Sequence, residues 1–174
     1  MEHRIRRVLR HRWVDDGDLR QALPAHVLTA LEQQVSDSEQ GHSGEICIHV
    51  EAGLPWRALW RGATARERAV ALFGKLRVWD TEYNNGVLIY LLMADNAIEL
   101  VADRGLLRVV PQTTWDAMLA RMAAAFRAGH FEAGLQHAVQ EVSALLVQHF
   151  PLAPGQHNPN ELPNTPVTTR VSTD

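Results

Sequence analysis

The chain has 174 residues, 46% of them hydrophobic and 21% charged, which suits one ordinary globular domain with a sizeable core and requires no second one. A formal net charge of −3 gives no global electrostatic case for a polyanion partner, and the arginines near the start lack interleaved aromatics, so nucleic-acid binding is not expected. Cys47 is the single cysteine and cannot close an intramolecular disulfide; with no secretory-type leader and no apolar run near the roughly 20 residues that span a bilayer, a cytoplasmic location is expected.

In chain order, residues 4–13 place Ile5, Val8, Leu9 and Trp13 on one helical stripe, with Arg4, Arg6, Arg7, Arg10 and Arg12 around it. Such a basic amphipathic helix either docks on its own domain or lies on an anionic membrane surface or a protein partner. Asp15-Asp16-Gly17-Asp18 ends it, with a spacing unlike that of an EF-hand loop, so residues 1–20 form a basic N-terminal unit. A first long helix opens at Pro24 and carries Val27, Leu28, Leu31 and Val35 before fading into the polar run 36–42. Ser43-Gly44 then turns the chain into a strand in which Ile46, Ile48 and Val50 alternate with Glu45, Cys47, His49 and Glu51, giving one core face and one mixed face.

The loop 52–62, with Pro55, Trp56 and Trp60, reads as a flap over the core, with a partner site as the alternative. Thr64-Ala65-Arg66-Glu67 has the form of a capping box and opens a helix over 65–79, with Ala69, Leu72, Phe73 and Leu76 inward. Asn84-Asn85-Gly86 feeds the apolar run 87–93, the pattern of a strand buried on both faces of a covered sheet. A short turn leads to a third strand over 97–102, so the two must pair as an antiparallel hairpin. Pro111 opens a helix bearing Trp115, Met118, Leu119, Met122 and Phe126 and closed by Gly129; a last helix carries Phe131, Leu135, Ala138, Val139, Val142 and Leu146. The tail 151–174 holds five of the eight prolines without helix or strand periodicity and is expected to be disordered, which leaves an α/β domain over 21–150.

The helix between the first two strands is a crossover, so those strands are most simply parallel and start at one edge; the third, running back, ends there. Glu45 and Asp103 would then share a rim with Ser43, Asn84, Asn85 and Arg104. Two carboxylates among amide and hydroxyl oxygens are the ligand set of a hard cation, Ca²⁺ or Mg²⁺, with Glu45 and Asp103 as its direct ligands. The same residues suit a phosphate held by Arg104, or simple turn chemistry with a surface ion pair. No G-x-S-x-G, H-E-x-x-H, P-loop or C-x-x-C pattern occurs, and Cys47 lacks a phosphate loop ending in Arg. His130, His137 and His149 are spaced too widely along their helix to chelate a metal.

The ordered set Ser43-Gly44-Glu45, Asn85-Gly86-Val87-Leu88-Ile89-Tyr90 and Asp103-Arg104-Gly105-Leu106, continuing through Trp115 to Phe126-Arg127-Ala128-Gly129-His130-Phe131, resembles the TPM domain family of bacteria and chloroplasts over roughly residues 40–150. The resemblance implies a small mixed β-sheet with helices on both faces, an α/β/α sandwich, and divalent-cation binding, with acid phosphatase activity proposed for some members. It also implies association with membrane complexes, although this sequence lacks the hydrophobic anchor of most relatives and carries the basic helix instead. The expected function is a non-enzymatic binding module that takes a divalent cation at the rim and acts through a protein partner or a membrane complex. A metal-assisted acid phosphatase, with Arg104 orienting phosphate, is the alternative, and the sequence offers it no nucleophile.

Overall fold

The computed structural model describes the chain except for Met1, Asp15, Pro159 and residues 170–174, and except for the side chains of residues 2–5 and Asp16. The expected roles of Arg4, Ile5 and Asp15 therefore lie outside the described residues. The elements run α1 (Glu2–Trp13), α2 (Asp16–Ala22), α3 (Ala25–Ser38), β1 (Ile46–Glu51), α4 (Trp56–Trp60), α5 (Ala65–Lys75), β2 (Val87–Leu92), a 3₁₀ turn (Met93–Asp95), β3 (Ala97–Ala102), α6 (Arg104–Val109), α7 (Gln112–Arg127), α8 (Phe131–His149) and β4 (Val167–Thr169).

Four strands form one mixed sheet in the order β3-β2-β1-β4. β1 and β2 are parallel, with Ile46 opposite Val87 and Glu51 opposite Leu92, and β2 and β3 are antiparallel, with Val87 opposite Ala102. Every residue of β1 and β2 is buried, which is what an unbroken apolar run requires of a strand covered on both sides. On one face Ile46, Ile48, Val50, Ile89 and Leu91 pack against Leu31 and Val35 of α3, Met118, Met122 and Phe126 of α7, and Val139, Val142 and Leu146 of α8. On the other face Cys47, Leu88, Tyr90 and Leu92 meet Leu59 of α4, Ala69 and Leu72 of α5, Val78 and Leu162. The fold is an α/β sandwich with helices on both faces.

Local chemistry sets the boundaries. Thr64 and Glu67 form the reciprocal capping box at the start of α5, with the Glu67 amide donating to Thr64 Oγ1 at 3.1 Å and the Thr64 amide donating to Glu67 Oε2 at 2.8 Å. α5 stops at Lys75, short of the expected 79, because Arg77 enters the left-handed region at φ 57°. Gly86 is not the left-handed residue its Asn-Gly setting suggests; Asn84 takes that conformation at φ 53°. Gly86 is needed for close approach, since a Cβ there would lie 2.0 Å from the Val78 carbonyl oxygen.

Three expectations are corrected. Asp16-Gly17-Asp18 does not merely end α1 but opens α2, whose Leu19, with Leu23 just beyond its end, seals the core. Asp103-Arg104-Gly105 is not a plain turn: the Asp103 side chain accepts the Arg104 amide at 2.7 Å and caps α6. The tail is ordered where it is described. Val167–Thr169 joins the sheet parallel to β1, Leu162 enters the core, and Thr165 Oγ1 donates to Glu32 Oε1 of α3 at 2.5 Å. Prolines exclude a helix but suit an extended strap ending in a short edge strand.

Removing residues 151–174 should therefore lower the urea midpoint, with a stability loss of about 2–4 kcal/mol from the lost Leu162 burial and strand pairing. An unchanged midpoint would mean that the strap contributes nothing to the fold.

Candidate functional site

The ends of the strands chain three residues into one rim. The Val87 amide donates to the Glu45 carbonyl at 2.9 Å, and the Asp103 amide donates to the Gly86 carbonyl at 2.9 Å. Glu45, Gly86 and Asp103 thus stand side by side, the outer two about 10 Å apart at Cα, which is two strand spacings. Ile46, Val87 and Ala102 face the α3/α7/α8 core, so alternation turns the rim residues toward the opposite face, where the Val78 carbonyl sits over Gly86.

Around this line the other expected residues gather. Asn85 donates from Nδ2 to Ser43 Oγ at 3.3 Å, and its amide donates to Thr81 Oγ1 at 3.1 Å. Arg104 donates from Nε to Asn84 Oδ1 at 2.7 Å. Asp103 spends one carboxylate oxygen on the α6 cap, and its buried Oδ2 has no hydrogen-bond partner. Glu45 is fully buried; its Oε2 accepts the Leu162 amide of the strap at 3.2 Å, and its Oε1 has no partner. The Asn85 Oδ1 is likewise buried and unpartnered. Buried polar atoms ordinarily find a partner, so three orphaned acceptors at one rim are unusual.

Two further residues belong to this end of the molecule. Glu39 follows α3 one turn after Val35, on the inner stripe Val27–Leu31–Val35, and that break in an apolar row was the readable signal for it. It accepts from Asn164 Nδ2 of the strap at 2.7 Å; burial, and then the neighbouring Glu45 charge, push its carboxyl up to about 7. Burial also raises Glu45 itself, partly offset by the amides of residues 161 and 162. His42 is fully buried with Nδ1 3.0 Å from the Gly44 carbonyl, and burial pulls its imidazole down to about 4. Asn158 ties the strap to the carbonyls of His42 and Gly44 at 3.2 Å each.

A second polar network lies under α5 and is structural. Arg68 donates to both carboxylate oxygens of Glu51, at 2.9 and 2.6 Å, and the Tyr90 hydroxyl donates to Glu51 Oε2 at 2.7 Å. His49, its ring 6.0 Å from Tyr90, has Nε2 2.5 Å from Thr169 Oγ1, and burial lowers it to about 4. Glu51 is 1% exposed, so losing its cation would strand a buried charge. The variant Arg68→Ala should cost about 3–5 kcal/mol in urea unfolding, more than the double variant Arg68→Met/Glu51→Leu.

What the rim can do chemically follows from its atoms: buried oxygen acceptors, two carboxyl groups, and one guanidinium already paired with an amide. Among the described residues no three His, Cys, Asp or Glu side chains converge to hold a metal ion by themselves, so a cation here would also need carbonyl or amide oxygens. Cys47 is buried inside the sheet and its thiol is pushed up to about 11 by burial, the opposite of an activated nucleophile.

A helix-covered mixed sheet with an oxygen-rich rim where two parallel strands begin is the frame of a small α/β domain. The family model for the TPM domain matches residues 17–145, and the chain belongs to that family. The NMR structure of the BA42 protein from the psychrophilic bacterium Bizionia argentinensis is similar, with 28% sequence identity and a TM-score of 0.73 over 84% of this chain and 95% of that one. No curated protein matches the chain. Among the described residues no helix is long and apolar enough to cross a membrane.

The buried titrating groups set a pH dependence. His42 and His49 are held neutral, so stability is present above pH 6.5 and is lost as pH falls toward about 4. Glu39 is held protonated, so its contribution is present below pH 4.5 and is lost as pH rises toward about 7, and Glu45 acts in the same direction. The two pairs oppose each other between pH 4.5 and 6.5. Glu39→Gln should therefore steepen the acid loss in that window by about one proton, roughly 1.4 kcal/mol per pH unit in urea titrations. An unchanged slope would mean that Glu39 titrates normally.

Proposed function

We propose that this TPM domain is a non-enzymatic binding module that takes a divalent cation at the β1/β2 rim, with Glu45 and Asp103 as its charged ligands. The observation that carries this reading is the set of orphaned acceptors, Glu45 Oε1, Asp103 Oδ2 and Asn85 Oδ1, buried at one end of the sheet. Acceptors cannot satisfy one another; a donor such as water, a proton or a cation must, and a cation can engage all three at once. The Val78 carbonyl over Gly86 adds a neutral oxygen between the two carboxylates, and a carboxylate–carbonyl set favours Ca²⁺ or Mg²⁺ over zinc. The raised Glu45 carboxyl supports the reading further, since a carboxylate held from water gains most from a cation. Asn85 Oδ1 would add a neutral side-chain oxygen, while Ser43, Asn84 and Arg104 would shape the rim rather than ligate. Arg104 is engaged with Asn84.

A protein partner or a membrane complex would read the loaded and empty rims differently, and we place the protein in the cytoplasm. The phosphatase alternative, in which a metal-bound water would attack, has less support: Arg104, which would orient the phosphate, is engaged with Asn84, and Cys47 is sequestered.

Backbone amide shifts followed against Ca²⁺, Mg²⁺ and phosphate test the reading. Addition of one of the cations should move residues 43–45, 85–86 and 103. The variant Asp103→Asn should weaken that response about tenfold or more while keeping the fold, because Asn also caps helices. Shifts produced by phosphate alone and centred on Arg104 would replace the cation with an anion. No shift with any of the three would sink the reading.

A further inference from the structure

α1 is mounted with its basic side inward. Arg7 donates from Nε and Nη2 to Asp95 Oδ2 at 3.2 and 2.9 Å, and from Nη2 to the Ala63 carbonyl at 2.8 Å. Arg10 donates to Asp95 Oδ1. His11 is fully buried, with Nδ1 accepting the Leu54 amide at 3.0 Å and Nε2 3.0 Å from Asp95 Oδ1. Val14 completes this inner stripe against the core. Residues 7, 10, 11 and 14 share one side of the helix, so Leu9 and Trp13 fall on the opposite side, 49% and 79% exposed, with Arg6 and Arg12 exposed beside them.

A second exposed group of tryptophans and arginines lies on the neighbouring α4. Leu54 and Ala63, the two anchors of α1, bracket this helix. Trp56 and Trp60 are 47% and 65% exposed, and their rings meet edge to face at 5.3 Å. Arg57 and Arg61 are exposed between and after them. The flap expected over the core is therefore turned outward, with only Ala58 and Leu59 of α4 buried. Glu67 is the nearby carboxylate that senses Arg61, and its oxygens are engaged in the α5 capping box.

We infer that Leu9, Trp13, Trp56 and Trp60, with Arg6, Arg12, Arg57 and Arg61, form a docking surface for an anionic lipid bilayer. Tryptophan rings settle at the headgroup level, and guanidiniums beside them meet lipid phosphates. Apolar side chains alternating with arginines, rather than one contiguous apolar centre, match an interfacial helix better than a protein hot spot. A second copy is disfavoured by charge, because isologous pairing would set these arginines against themselves. The contact needs no spanning segment and should be reversible, with each arginine near the surface contributing about fivefold in partitioning at low salt.

Co-sedimentation of the full chain with vesicles of phosphatidylcholine, and of phosphatidylcholine mixed equally with phosphatidylglycerol, tests this. Binding to the mixed vesicles alone, lost at high salt, is expected. The variants Leu9→Ser/Trp13→Ser and Arg6→Gln/Arg12→Gln should each lower partitioning, the second by about twentyfold, from two arginines at about fivefold each. Their thermal midpoints should match the parent, because all four side chains are exposed. Absent binding, equal binding to both vesicle types, or variants that partition like the parent would each overturn the inference. A dimer in sedimentation velocity that Leu9→Ser/Trp13→Ser dissolves would assign the surface to a second copy instead.

Discussion

The structure turns on a conflict inside β1. This strand lies between β2 and β4 and is buried along its whole length, yet Glu45 at its entrance and His49 and Glu51 within it are residues that water ordinarily solvates. Burying a charge or an unpaired polar group costs more than one apolar contact returns, so each of the three must be answered by another part of the chain. Glu51 is answered by Arg68 from α5 and by the Tyr90 hydroxyl. His49 is answered by Thr169, and Glu45 by the Leu162 amide, both from the strap. The crossover helix and the C-terminal strap are thus tied to the sheet by the polar residues of one strand as much as by its hydrophobic ones.

This explains which parts of the fold were legible. The central strand, the parallel crossover, the hairpin and the helices around Leu31, Phe126 and Val139 follow from apolar periodicity, which a sequence displays directly. The strap does not, because what orders it is a set of single hydrogen bonds to Glu32, Glu39, Glu45 and His49, each from a residue more than a hundred positions away. Prolines that exclude a helix leave an extended strap and a disordered tail equally open. α2 was hidden for a related reason: its seven residues are too few for the 3.6-residue period to show, and its acidic opening resembles a turn.

The rim was legible in part. Its location followed from strand direction alone, so Ser43, Glu45, Asn85 and Asp103 could be placed together without coordinates. Its depth could not. Polar residues beside Asn-Gly and Asp-Arg-Gly suggest a solvated edge, whereas Glu45, Asn85 and Asp103 are buried. The difference comes from Val78 pressing onto Gly86, from Tyr83 and Asn84 carbonyls pressing onto Gly105, and from the strap closing over Glu45. At both glycines the missing side chain is occupied by another segment's backbone, a reason for glycine that turn chemistry does not reveal.

The two ends of the sheet are built on opposite electrostatic terms. At the rim the buried oxygens Glu39 Oε1, Glu45 Oε1 and Asp103 Oδ2 have no hydrogen-bond partner, and burial holds Glu39 and Glu45 toward their protonated forms. At the far end a single carboxylate, Asp95, faces Arg7, Arg10 and His11; burial alone would raise its pKa, but hydrogen bonds and charge from His11 and Arg7 outweigh that and hold it well below the usual carboxylate range. One end leaves carboxyl oxygens unpartnered and the other gathers positive charge around a single carboxylate. Asp95 also ties α1 down by one side, because this partly buried carboxylate draws in Arg7, Arg10 and His11 and leaves Leu9 and Trp13 facing away. The apolar side is then left to water. Among the described residues Leu9 and Trp13 stay exposed, with Arg6 and Arg12 beside them, so a partner meeting this side would have to carry negative charge.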